Sequence, residues 1–144
     1  MTKTAMTKTA ITLTYFLGSV TWVFAAAGPA QKLVLEHYMA EAKATNASFS
    51  GFSPERGKAL FLSQSTTGKP DTPSCTACHT TNPRQTGRTR AGKEIDPMAL
   101  SVKTDRYGDI AKTEKWFGRN CDSVLGRPCT PLEKGDFITF MVNQ

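Results

Sequence analysis

The run Cys75-Thr76-Ala77-Cys78-His79 constrains this chain more than any other feature, because two thiols three positions apart with a histidine directly behind them can anchor a porphyrin through its two vinyl groups. Cys75 and Cys78 would each form one thioether, and the abutting His79 would present its imidazole to the iron. A bare Cys-x-x-Cys redox pair or half of a zinc site shares the spacing. Zinc would want further Cys or His ligands, and a redox pair gives His79 no task. The pentad predicts one covalently attached haem c per chain.

Lys3 and Lys8 precede an apolar stretch from Ile11 to Phe24, which meets Ala25-Ala26-Ala27-Gly28, the layout of a signal peptide cleaved near Ala27. The stretch is shorter than the ~20 residues a spanning helix needs and holds several threonines, which argues for release over a retained anchor. Residues 1–27 are therefore read as the signal and 28–144 as one monohaem cytochrome c domain, periplasmic and monomeric, free of the membrane after cleavage. Its core is small enough for the haem to be its largest apolar component. Without Lys3 and Lys8 the net charge falls from +6 to +4. The basic residues are scattered and no nucleic-acid motif occurs, so an acidic protein is the better partner class.

Cys121 and Cys129 remain once the haem thiols are assigned, and export to an oxidising compartment makes a disulfide between them the default. Closing so short a loop is worth about 2 to 3 kcal/mol, so a purely structural role accounts for it.

The pattern along the chain is helical, with no alternating strand longer than a few residues and no repeat. A first helix is predicted from about Pro29 to Ala44 with Leu33, Val34 and Tyr38 inward, followed by a loop from Asn46 to Gly51. Ser53 caps a second helix that opens on Pro54 and turns Gly57, Leu60 and Phe61 inward. Ser63 to Ser74 is irregular. Thr80 to Lys93, with Arg84, Arg88, Arg90 and Lys93, reads as a cationic loop over the haem edge, either simply solvated or pairing one or two arginines with the haem propionates. Asp96 to Ser101 reads as a short helix and Ile110 to Leu125 as a longer one. Thr130-Pro131-Leu132-Glu133 forms a capping box for a last helix that buries Leu132, Phe137, Ile138 and Met141.

Five residues compete for the iron's sixth position: Met98, His37, Met39, Met141 and Asn120. Met98, in a loop downstream of the pentad, is the ordinary ligand of small cytochromes c. Met39 and Met141 fit core filling better. His37 borders the apolar stripe of the first helix, where a core histidine is commoner than a ligand. Asn120 follows Phe117 by three positions and Trp116 by four, which puts it on the inward face of its helix, where a carboxamide must find partners. Its plain alternative is a helix-end Asn bonded to backbone. Trp116 reads as core, Arg119 as an exposed arginine, and Tyr107 as a further candidate for haem contact.

The pentad, Asn82-Pro83-Arg84, Gly92-Lys93-Glu94-Ile95, Trp116-Phe117-Gly118-Arg119-Asn120-Cys121, Leu125-Gly126 and Glu133-Lys134-Gly135-Asp136-Phe137-Ile138 together resemble the sphaeroides haem proteins (SHP) and cytochrome c''. The resemblance implies an all-α, class I cytochrome c-like core with an added N-terminal helix and a bridge between Cys121 and Cys129. It also implies that the residue before the first disulfide cysteine, here Asn120, is the distal ligand, and it moves the choice away from Met98.

A neutral carboxamide is a weak, hard ligand that suits ferric iron better than ferrous. Reduction would then free one iron face for nitric oxide, carbon monoxide or dioxygen. Two functions follow. One is a redox-gated gas site, with turnover of nitric oxide and dioxygen or plain sensing as variants; the other is an electron carrier whose iron stays six-coordinate. Either would draw electrons from another cytochrome, and the resemblance suggests a diheme cytochrome c. Any catalysis would belong to the iron itself, as the chain supplies no other catalytic group.

Overall fold

The computed structural model describes residues 27–144, so the predicted signal segment lies outside the described residues except for its last alanine. The chain runs through α1 (Pro29–Thr45), α2 (Pro54–Leu62), the single turn α3 (Thr76–His79), β1 (Gly87–Arg88), β2 (Glu94–Ile95), α4 (Ile110–Leu125) and α5 (Pro131–Val142). The predicted starts hold for α1, α2, α4 and α5, and the predicted ends of α1 and α4 hold to within a residue. The strands form one antiparallel pair, with Gly87 opposite Ile95.

The helix starts follow from local chemistry. The Ser53 side chain accepts from the Arg56 amide ahead of Pro54, the Asp109 carboxylate accepts from the Lys112 amide, and Thr130 with Glu133 makes the reciprocal capping box. The most buried helix is α5, with α1 and α2 packed on it. A Cβ on Gly57 would run into the Asp136 carbonyl, so α2 approaches α5 more closely than any side chain permits. Phe137 centres an aromatic cluster: Phe117 lies 5.6 Å away, Phe61 6.1 Å and Tyr107 6.5 Å between ring centroids.

Two polar networks lock this core. Asp136, 3% exposed, takes two bonds from the Arg56 guanidinium at 2.6 and 2.8 Å and a third from the Ser53 amide at 2.7 Å. The Tyr38 hydroxyl donates to Glu114 at 2.6 Å while the Lys134 ammonium donates to the same carboxylate at 2.7 and 2.9 Å, joining α1, α4 and α5. Partial burial opposes ionisation of Glu114, but the bonds from Lys134 and Tyr38 outweigh it and hold the carboxyl below its usual range.

Several sequence expectations need correction. Leu33 is 63% exposed; the buried stripe of α1 is Gln31, Val34, Leu35, Tyr38 and Ala42, whose helical period skips position 33. Leu60 and Leu132 are only partly buried. Asp96 to Ser101 is not a helix. The Met98 and Ala99 amides both donate to the Pro83 carbonyl, and Arg106 reaches the carbonyls of Asp96 and Pro97, so long-range partners claim the groups a helix would have used. The cationic loop contains the β1–β2 hairpin, with Arg88 paired to Glu94 and Arg90 to Asp71. Trp116 is half exposed, not core.

Candidate haem site

Ser74, almost fully buried, starts the turn that carries the pentad: its hydroxyl accepts from the Ala77 amide at 3.1 Å. The amides of Cys78 and His79 then both reach the Cys75 carbonyl, at 3.3 and 3.1 Å. One helical turn therefore holds both thiols and the imidazole. It ends abruptly at Thr80, whose φ of 59° and ψ of 175° fall in a region that side chains avoid. From behind, β1 closes on the turn, and a Cβ on Gly87 would collide with the Cys78 carbonyl.

The electrostatics of the turn separate the competing uses of the pentad. Burial pushes the Cys75 thiol up to about 11, the opposite of what an oxidoreductase nucleophile needs. Burial, aided by the Arg106 charge, pushes His79 down to about 4, so its imidazole is neutral, the form that binds metal. Its Nδ1 is buried with no hydrogen-bond partner among the described residues. Among the described residues no further His, Cys, Asp or Glu side chains join those of the turn to make a group of three suited to a metal ion. Two thiols and an unpartnered neutral imidazole on one turn fit a covalently attached haem.

The approach to this turn is fastened to the far end of α4. Thr72 donates its hydroxyl to the Ser123 carbonyl at 3.0 Å, the Lys69 amide reaches the same oxygen at 2.7 Å, and Thr67 donates to the Leu125 carbonyl at 2.7 Å. None of these bonds involves the Asn120 side chain. On α4 the packed stripe is Thr113, Phe117, Cys121 and Val124, and Asn120 lies on the exposed flank beside it with Trp116 one turn earlier. The expectation of an inward Asn120 is corrected to that extent. Cys121 and Cys129 are bonded to each other, joining the end of α4 to the approach to α5.

The other ligand candidates are placed as follows. Met141 is fully buried in the core and Met39 packs against it. His37 lies 3.5 Å from the Glu41 carboxylate on α1. Met98 packs against the core, its carbonyl accepting from the Tyr107 hydroxyl at 2.9 Å. Arg119 places its guanidinium 5.7 Å from the Trp116 ring centroid. The influence of Arg106 was not legible in the sequence: its charge acts on His79 because the chain after β2 folds back, with the guanidinium bonded to the carbonyls of Asp96 and Pro97.

Residues 47–141 match a family profile described as a domain of unknown function, DUF1924. Cytochrome c-type protein SHP of Cereibacter sphaeroides is 58% identical over 90 residues, 62% of this chain and 70% of that protein. Cytochrome c'' of Methylophilus methylotrophus is 36% identical over 116 residues, 80% of each. The chain belongs to the SHP and cytochrome c'' family. The structure of oxidized SHP, an oxygen-binding cytochrome c, aligns with a TM-score of 0.73 at 48% identity, over 79% of this chain and 96% of that one. The solution structure of the M. methylotrophus cytochrome c'', concerned with haem-ligand detachment, aligns at 0.68 with 32% identity, over 79% and 93%. The all-α cytochrome fold and one covalent haem c per chain are thus family properties of this protein, and α1 lies ahead of the segment that the profile covers.

Proposed function

We propose that this is a periplasmic cytochrome in which Cys75 and Cys78 carry the haem, His79 is the proximal ligand and Asn120 the distal one, and that Asn120 leaves on reduction so that a diatomic gas can bind. The observation that carries this is the position of Asn120: directly before the Cys121–Cys129 bridge, on the open flank of α4. The oxygen binding of SHP and the ligand detachment in cytochrome c'' support it from the side of the relatives.

When bound, the haem supplies an iron that cycles by one electron and accepts small diatomic ligands. The protein's part is to hold one side firmly and the other loosely. His79 sits on a short turn braced by β1, with its imidazole kept neutral by burial. Asn120 offers a weak, neutral carboxamide from a helix end that the disulfide and the Thr67 and Thr72 bonds restrain. Loss of so weak a ligand takes little energy, and the restrained helix end returns it on reoxidation. Nitric oxide, dioxygen and carbon monoxide are the candidate gases, and another cytochrome, a diheme cytochrome c among them, is the electron donor.

An anaerobic reductive titration of the holoprotein, followed optically, tests this. Conversion of low-spin ferric to high-spin, five-coordinate ferrous haem is expected, with loss of the low-spin ferric bands in Asn120→Ala. A low-spin ferrous form with sharp bands would instead mark an electron carrier with a permanent sixth ligand. Amino-terminal sequencing of protein from the periplasmic fraction tests export, with a start near Gly28 expected.

A further inference from the structure

The positive charge of this domain is not evenly spread. Thr80 to Ile95 holds Arg84, Arg88, Arg90 and Lys93 against the single acid Glu94, a local balance of +3. The segment is exposed along most of its length, and Gly87 within it lies against the backbone of Cys78 and His79, so the hairpin that carries these cations packs beside the turn assigned to the haem.

Two of the four serve the hairpin itself. Arg88 donates to the Gly92 carbonyl at 2.8 Å and pairs with Glu94, and Arg90 pairs with Asp71. The hairpin is thereby closed and tied to the turn of residues 69–72, where Lys69 adds a further cation. Arg84, which reaches only the Ser101 hydroxyl, and Lys93 pair with no carboxylate among the described residues. Asp96, just beyond β2, is taken up by Lys103 at 3.4 Å. The result is an exposed surface whose Arg84 and Lys93 meet no protein carboxylate among the described residues, beside the site through which electrons must pass, and such a surface favours fast encounter with a partner of opposite charge.

We propose that the exposed face of the β1–β2 hairpin is the docking surface for an acidic electron-transfer protein, which it orients with its prosthetic group against the Cys75 to Cys78 turn. This rests on the reading of the chain as a haem c cytochrome that receives electrons, and it is independent of whether Asn120 leaves the iron.

Fully reduced flavodoxin serves as the acidic probe, with holoprotein reduction followed by stopped flow under argon. For the native chain the second-order rate should fall steeply with added salt. In Arg84→Glu/Lys93→Glu, which spares the two arginines that hold the hairpin, the rate at low salt should drop at least about tenfold and lose most of its salt dependence. Lys43→Glu/Lys58→Glu makes the same change of net charge on α1 and α2 and should stay within about twofold of the native rate. An uncharged flavin radical generated by a light flash should reduce all three proteins equally, which checks that the haem is intact. Equal slowing in the two double variants would mean that overall charge and not this face governs encounter, and an unchanged rate in the hairpin variant would remove the face from docking; either overturns the proposal. So would hairpin charges that control binding to phosphatidylglycerol vesicles but not the flavodoxin rate, because the occupant would then be a membrane. A low-spin ferrous spectrum sinks the release of Asn120 and leaves these rates untouched.

Discussion

The Thr72 hydroxyl donates to the Ser123 carbonyl at 3.0 Å, which ties the segment leading into Cys75 to the end of the helix carrying Asn120. Two segments 51 residues apart in sequence, the approach to the haem turn and the end of α4, are thus mechanically connected. Ser123 lies between Asn120 and the αL cap at Gly126, where carbonyls lack helical partners and need outside donors. Thr72→Val should cost about 1 kcal/mol in urea unfolding, the worth of one such bond. It should also speed carbon monoxide binding to the ferrous protein by freeing the helix end. Unchanged stability would show that water replaces Thr72 at no cost.

Gly87→Ala should harm the haem side directly. The added methyl meets the Cys78 carbonyl, a backbone atom that cannot rotate away, so β1 or the attachment turn must move. Overpacking of this kind costs about 1 to 3 kcal/mol. A lowered thermal midpoint and a shifted ferric spectrum are expected together; a normal spectrum at native stability would count against the close contact.

Asp136→Ala removes the acceptor for the Ser53 amide and for both guanidinium bonds of Arg56. Breaking a buried ion pair by removing one partner costs roughly 3 to 5 kcal/mol. Arg56 is half exposed and can recover hydration, so the lower end applies. Chemical denaturation measures it, and a loss below about 1 kcal/mol would mean that the pair is not structurally important.

Acid should destabilise the fold through Glu114 and Glu133. Arg127 holds Glu133 below its usual range with two bonds of 2.7 and 2.8 Å, as Lys134 and Tyr38 do for Glu114. A carboxyl whose folded pKa is depressed stabilises the native state above its unfolded pKa and ceases to do so as pH falls through the folded value. Stability should therefore decline below about pH 4.5, and Glu114→Gln/Glu133→Gln should decline less steeply over that range. Equal slopes in urea titrations of the two proteins would assign the acid sensitivity to other groups.

Where the sequence was legible, the cause was local. The caps at Ser53 and Thr130, the span of α4, the pentad and the Cys121–Cys129 pair all depend on residues within about one or two helical turns, and short-range chemistry determines them. Leu33 and Trp116 were misread because apolar character does not state which face of a helix meets a neighbour. Asp96 to Ser101 was misread because Pro83 and Arg106, distant in sequence, take its backbone groups.

By itself, then, the chain determined what group it carries and where its four longer helices begin, since these rest on side-chain chemistry, caps and helical periodicity. Only the tertiary structure decided that β1, within the cationic hairpin, would press against the attachment turn and that Thr72 would hold the end of α4. Each of those is a contact between segments far apart in sequence, set by how the helices pack on α5 and not by any local preference.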